Sequence, residues 1–163
     1  VHNYDEFKAL PENMVKGKIV FFNYRFRQDF IFTFNGYGDA VKYRGGSPSV
    51  AVEKGAVGVI IRSMSTGEDD YPHTGGMYYK DSTKKIPEMA LGNYTADKLA
   101  DACLKGGVVA RMTSPGNRMI ESEVISSGAT TLSTERTLLA LLAVARALRV
   151  ESWQVKRGFS LER

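Results

Sequence analysis

The sequence predicts an α/β fold, a mixed β-sheet flanked by short helices, and three observations carry that reading. Short runs rich in β-branched, apolar and aromatic residues recur at 17–24, 56–61, 86–91 and 108–112, the composition of buried strands. Residues 95–104 place Ala96, Leu99, Ala100, Cys103 and Leu104 at i, i+3, i+4, i+7 and i+8, which is one buried helix face. The resulting order, strand, helix, strand, loop, strand, helix, strand, is an alternating layout.

The elements follow in turn. Residues 5–10 read as a short helix stopped at Pro11, and 17–24 as a first strand buried on both faces. The aromatic-rich stretch 25–43 reads as strand plus loop. Ser47-Pro48 then supplies a helix start, a hydroxyl for the cap and a proline for the first turn. That helix ends at Gly55, where glycine takes the left-handed conformation most residues avoid. Residues 56–61 form a second strand, and 63–85 a long polar loop holding Gly67, Pro72, Gly75 and Gly76. Loops of that length usually carry a function. Residues 86–91 form a third strand with Pro87 near its start, Thr95 caps the next helix, and Gly106-Gly107 ends it before a fourth strand at 108–112. Composition changes at Pro115-Gly116: all eight tyrosines lie before residue 95, and no aspartate or histidine follows Asp101. Two parts are therefore expected, a body at 1–114 and a C-terminal tail at 115–163 with a leucine-rich helix over about 135–150.

At 163 residues, 43% hydrophobic and 25% charged, the chain can bury a real core. Its net charge is +4, but residues 1–105 hold 14 Lys+Arg against 13 Asp+Glu, so the body is close to neutral. That argues against a nucleic-acid surface, which clusters its cations. The longest uncharged apolar run, 137–145, is too short to span a bilayer, so no membrane partner is expected. Residues 1–5 lack the basic and apolar regions of a signal peptide, as expected of a mature form. Cys103 is the only cysteine and falls on the apolar helix stripe, where a thiol behaves as a small hydrophobe.

Candidate chemistry concentrates in the long loop. His73 is the only histidine after His2 at the chain's start, beside Tyr71, Tyr78 and Tyr79, and Arg62 stands at the strand end that opens the loop. An arginine there suits bidentate grip on a carboxylate, a solvent-facing position or anchoring of the loop. His73 suits either a contact with substrate or partner, or a bond that fixes the loop's shape. Neither the serines nor Gly36-Tyr37-Gly38 and Gly45-Gly46 form a nucleophile elbow or a phosphate loop.

Taken together, Val15-Lys16-Gly17-Lys18-Ile19-Val20, Gly55-Ala56-Val57-Gly58, Arg62-Ser63, Pro72-His73-Thr74-Gly75 and Lys85-Ile86-Pro87 resemble, in order and spacing, the protease-associated domain of secreted zinc exopeptidases of the plasma glutamate carboxypeptidase type. The resemblance covers roughly residues 1–114. It implies a mixed sheet or open barrel, a secreted or periplasmic location, and a non-catalytic lid or binding role. Partners would be the peptidase catalytic domain or a peptide substrate, and the binding residues Arg62, Tyr71, His73 and Tyr78. It also implies that zinc belongs to the parent peptidase and no cofactor to this chain. The family's catalytic part carries a His-x-Asp stretch and an Asp-Asp-Gly soon after this domain, whereas residues 124–142 hold neither histidine nor aspartate. The chain alone is therefore expected not to be an enzyme. Two alternatives stay open: a metallopeptidase fragment active only with its missing catalytic part, and an interaction module that forms a homodimer through the helix at 135–150.

Overall fold

Ile19–Phe22 forms strand β1, and every one of its four residues is buried. Alternation across the pleat sends Val20 and Phe22 to one face and Ile19 and Phe21 to the other. Each face therefore needs its own cover, and the rest of the chain supplies it. The computed structural model describes residues 1–67, 69–113 and 119–125. Helices α1 (Tyr4–Ala9) and α2 (Glu12–Val15) precede β1, and α3 (Thr33–Glu53) and β2 (Gly58–Arg62) follow it. Then come β3 (Glu88–Leu91), α4 (Asn93–Lys105), β4 (Val109–Thr113) and β5 (Met119–Ile125).

The five strands make one curled mixed α/β sheet in the order β3-β2-β1-β5-β4. β1 runs parallel to β2, β2 to β3 and β1 to β5, while β4 and β5 are antiparallel. On one face Phe7, Val15, Val20, Phe22, Tyr43 and Ile61 form a core under α1, α2 and α3. Its aromatic centre is tight: Tyr4 meets Phe22 edge-on at 5.5 Å between centroids, and Tyr24 stacks on Tyr43 at 4.3 Å. On the other face Ile19, Phe21, Ile60, Met89, Cys103 and Met112 form a second core with α4.

The first three sequence-predicted strands, the loop after β2, and the helix after β3 stand where expected, as does the fourth strand. Four details differ. Stretch 25–43 is not strand plus loop, because α3 begins inside it at Thr33. Gly36, Ala40, Tyr43, Ser47 and Ala51 are buried at helical spacing, a stripe that the surrounding aromatic residues conceal. Ser47-Pro48 accordingly does not start a helix, since α3 runs through Pro48. A proline there removes the N–H that would bond the Arg44 carbonyl four residues back, and Gly45-Gly46 in the turn before it let the backbone adjust. α4 begins at Asn93, and Thr95 is not its cap. The N–H of Thr95 instead donates to Asp70 Oδ1 at 2.8 Å, so the capping acid comes from the distant loop. Leu104, placed on the buried stripe by its spacing, is 65% exposed because the helix ends one residue later.

β5 is an element the sequence reading did not anticipate, and it lies inside the sheet between β1 and β4. Its Glu121 and Glu123 disguise a strand, yet both carboxylates are matched, Glu121 by Arg111 at 2.7 Å and Glu123 by Lys18. Such cross-strand charge pairs are the sheet's version of complementary packing. The leucine-rich stretch 135–150 lies outside the described residues.

Candidate functional site

Strand β2 is apolar up to Ile61, so the residue that follows in register is carried into the interior. That residue is Arg62, only 4% exposed. A buried guanidinium requires partners for its donors, and three elements supply them. Its Nε donates to Asn23 Oδ1 at 2.7 Å, Nη1 donates to the Asn93 carbonyl at 3.1 Å, and Nη2 pairs with Asp97. Arg25 pairs with the same carboxylate. Burial pulls the Arg62 pKa down from its usual value, and Asp97 opposes that. Asn93 and Asp97 stand four apart on the first turns of α4, which puts both on one face. Arg62 thus ties the carboxyl ends of β1 and β2 to α4.

The loop that follows is fastened at both ends. Asn93 Nδ2 donates to the carbonyls of Ser65 and Gly67 at 3.1 and 2.9 Å, and the backbone N–H of His73 donates to the buried Ser63 Oγ at 2.7 Å. Residues 74–80 then cross the outside of α3 as a strap. Arg44 Nη1 donates to the Thr74 carbonyl at 3.5 Å, the Tyr78 N–H donates to the Gly45 carbonyl at 2.9 Å, and Ser49 Oγ donates to the Tyr78 carbonyl at 2.9 Å. Gly45 and Gly46 make room for this. A Cβ on Gly46 would lie 2.9 Å from Tyr78 Oη, and one on Gly45 would lie 3.0 Å from its ring. The strap also explains why α3 is buried all round at residues 45–49.

Of the four residues singled out in the sequence, the loop carries three on its outside. Tyr71 is 77% and Tyr78 60% exposed, and His73 is exposed as well. Arg62 lies beneath that surface. Sequence reasoning did not reach Asn23, Asn93 and Asp97, the partners that make Arg62 burial tolerable, nor Arg25, a like charge that shares the Asp97 carboxylate; the four-residue spacing of Asn93 and Asp97 was the available signal. It also passed over Glu88, whose acid side chain interrupts an apolar run. Burial pushes the Glu88 carboxyl up to about 8, against the pull of Arg44. Its Oε1 and the Nε of Arg44 are both buried without a hydrogen-bond partner. Cys103 is buried, and burial raises its thiol to about 11, which suits a core residue and leaves no thiolate for nucleophilic work near neutral pH.

A zinc site needs three or four converging ligands. Among the described residues no three His, Cys, Asp or Glu side chains gather in that way. Those described residues do not fit a zinc ion.

No family model matches the sequence. Over 91 residues, 56% of the chain, it is 34% identical to carboxypeptidase Q of Xenopus laevis, and over 120 residues, 74% of the chain, 28% identical to carboxypeptidase Q of Mus musculus. These alignments cover 18% and 22% of those proteins, so the chain spans about a fifth of the curated relatives it matches. The fold is similar to part of the crystal structure of a peptidase M28 precursor from Shewanella amazonensis. The TM-score is 0.57 at 33% identity, covering 64% of this chain and 23% of that one. In sequence and in fold, the chain is related to one segment of peptidases of the carboxypeptidase Q and M28 kind.

Proposed function

We propose that the chain is a protease-associated-type domain of a zinc exopeptidase, a non-catalytic lid or docking module that governs access of short peptides to an active site carried elsewhere. The observation that carries the reading is the exposed loop pinned over the sheet, within a segment that matches only a fifth of the related peptidases. Exposed aromatic and cationic groups on a rigid support make good contact residues. Tyr71, His73 and Tyr78 form the contact face, and Arg62 acts as the anchor that holds the loop's first turn. Partners are a peptidase catalytic domain and its peptide substrate, in a secreted or periplasmic setting. Zinc belongs to the catalytic part. No helix among the described residues is long and apolar enough to cross a membrane.

Dipeptide hydrolysis with zinc supplied tests this directly. The chain alone is expected to give no turnover. A related peptidase whose own matching segment is replaced by this chain should be active. In that chimera Tyr71→Ser with Tyr78→Ser should raise KM several-fold with kcat within about twofold, the mark of lost substrate binding rather than lost chemistry. Turnover by the chain alone, with stoichiometric zinc bound, would falsify the reading.

A further inference from the structure

The carboxyl ends of β1 and β2 open onto a cleft made of two cavities. One, of about 460 Å³, is bounded by Arg25, Arg62, Asn93 and Asp97, and the other, of about 250 Å³, by Arg27, Phe30 and Thr33. They share Phe26, Gln28 and Thr66, so they adjoin. Charge along the cleft is uneven. At the first end Asp97 is the only carboxylate in the wall among the described residues, and it faces two guanidiniums. Lys98 lies over the ring of Tyr94, 4.2 Å from its centroid, and adds a cation beside that wall. The positive end of α4 is not part of this excess, because Asp70 already accepts from Thr95 there.

The two arginines differ in what they have left to give. Arg62 uses its donors on Asn23, Asn93 and Asp97. Arg25 pairs with Asp97 through one nitrogen, and its side chain is 67% exposed. A guanidinium carries five N–H donors, so Arg25 retains several for the cavity it lines, and the buried charge of Arg62 behind it raises the potential there. At the second end the chemistry changes. Arg27 is neutralised by Asp29 and lies over the ring of Phe30, 4.7 Å from its centroid. That leaves Phe26 and Phe30 as an apolar wall.

We propose that this cleft is a binding site for a small organic carboxylate with an apolar body, the carboxylate on Arg25 in front of Arg62 and the body laid along Phe26 towards Phe30. Arg25 supplies a charge-assisted pair of hydrogen bonds, Gln28 and Thr66 flank the junction, and the aromatic wall takes up apolar surface. The inference goes beyond the peptidase reading and stands without it, because binding by the chain alone and hydrolysis in an assembly are separate measurements.

The test is a low-salt calorimetric or NMR titration of the full chain with N-acetylphenylalanine, N-acetylphenylalanine amide and acetate. The acid should bind saturably, with a Kd on the order of 1 mM or tighter. The amide lacks the charge and acetate lacks the body, so each should bind about tenfold or more weakly. Arg25→Gln, at an exposed position, should weaken the acid about tenfold and leave the melting temperature unchanged. Phe30→Ser should weaken the acid and leave acetate unaffected. No saturable binding of the acid overturns the proposal, as does an amide that binds as tightly as the acid. Equal affinity of Arg25→Gln and the native chain for the acid overturns it too. Acetate binding that matches the acid removes the apolar half of the site and with it the ligand class.

Discussion

Glu88 begins strand β3, and its side chain lies on the face of the sheet that α1 and α3 cover, where Tyr4, Arg44 and Tyr79 are the titratable groups that interact with it. Arg44 spends Nη2 on Tyr37 and Nη1 on Thr74 rather than on the carboxyl. Burial therefore wins, and the folded-state pKa stands near 8 against an ordinary 4.5. The sign follows from the direction of that shift. An acid with a raised folded pKa prefers to be neutral in the native state and ionises more readily when unfolded. Its contribution is fully present below pH 4.5 and is lost as pH rises towards 8. Glu88→Gln keeps the shape and removes the ionisation. We expect its melting temperature to match the native chain near pH 5 and to exceed it by roughly 3 °C or more near pH 8.5. Parallel melting curves across that range would sink the assignment. Arg62 shows the same physics resolved in the opposite way: its charge is kept because Asn23, Asn93 and Asp97 take up its donors.

At the scale of elements, the loop after β2 is what holds the two helices flanking it. It caps α4 through Asp70 and lies along α3 through Tyr78. The first contact replaces a local cap with one supplied from 25 residues away. A capping carboxylate satisfies an N–H that the helix cannot pair itself, and complements the positive end of the helix. Asp70→Ala should cost about 1 kcal/mol in chemical denaturation and raise hydrogen exchange at both the first turn of α4 and residues 69–73. Raised exchange in α4 alone would show that the loop is held by other bonds. The second contact lies beside the proline inside α3: the Tyr78 N–H reaches the carbonyl of Gly45, the residue after the one whose carbonyl Pro48 leaves without its helical donor.

At the scale of the whole molecule, β1 is the hinge of the sheet, parallel to β2 on one side and β5 on the other. β4 has its ladder with β5, five residue pairs from Val109 to Thr113, so β5 connects it to the rest of the sheet. A chain ending at residue 114, where the composition changes, loses that link and exposes one edge of β1. It should lack a single cooperative unfolding transition, whereas a chain ending at residue 125 should keep one. A cooperative transition in the shorter chain would show that β1 to β3 and their helices suffice. That contrast marks how far the sequence was legible. Strands β1, β2 and β3, the loop, and the periodic face of α4 follow from local composition, because continuous apolar runs and a 3.6-residue period leave few alternatives. α3 and β5 did not follow. Aromatic residues of high strand propensity populate the start of α3, and paired glutamates make β5 look like solvent-exposed chain. Their states depend on partners far away in sequence, Tyr78 for one and β1 and β4 for the other.

Local pattern along the chain is enough to read an α/β body with a long loop, and its motifs pointed to the peptidase relatives to which it proves similar. Which side chains that loop presents and which it hides depends on the assembled fold. Arg62 looks like an exposed strand end in the sequence and is a buried clamp in the fold, with Arg25 left at the mouth of the cleft before it. The reason is physical: apolar burial is set by runs and periods that one stretch of chain can display. The partners that let a charge be buried come from β1, β2 and α4 together, and only the fold brings those three ends to one place.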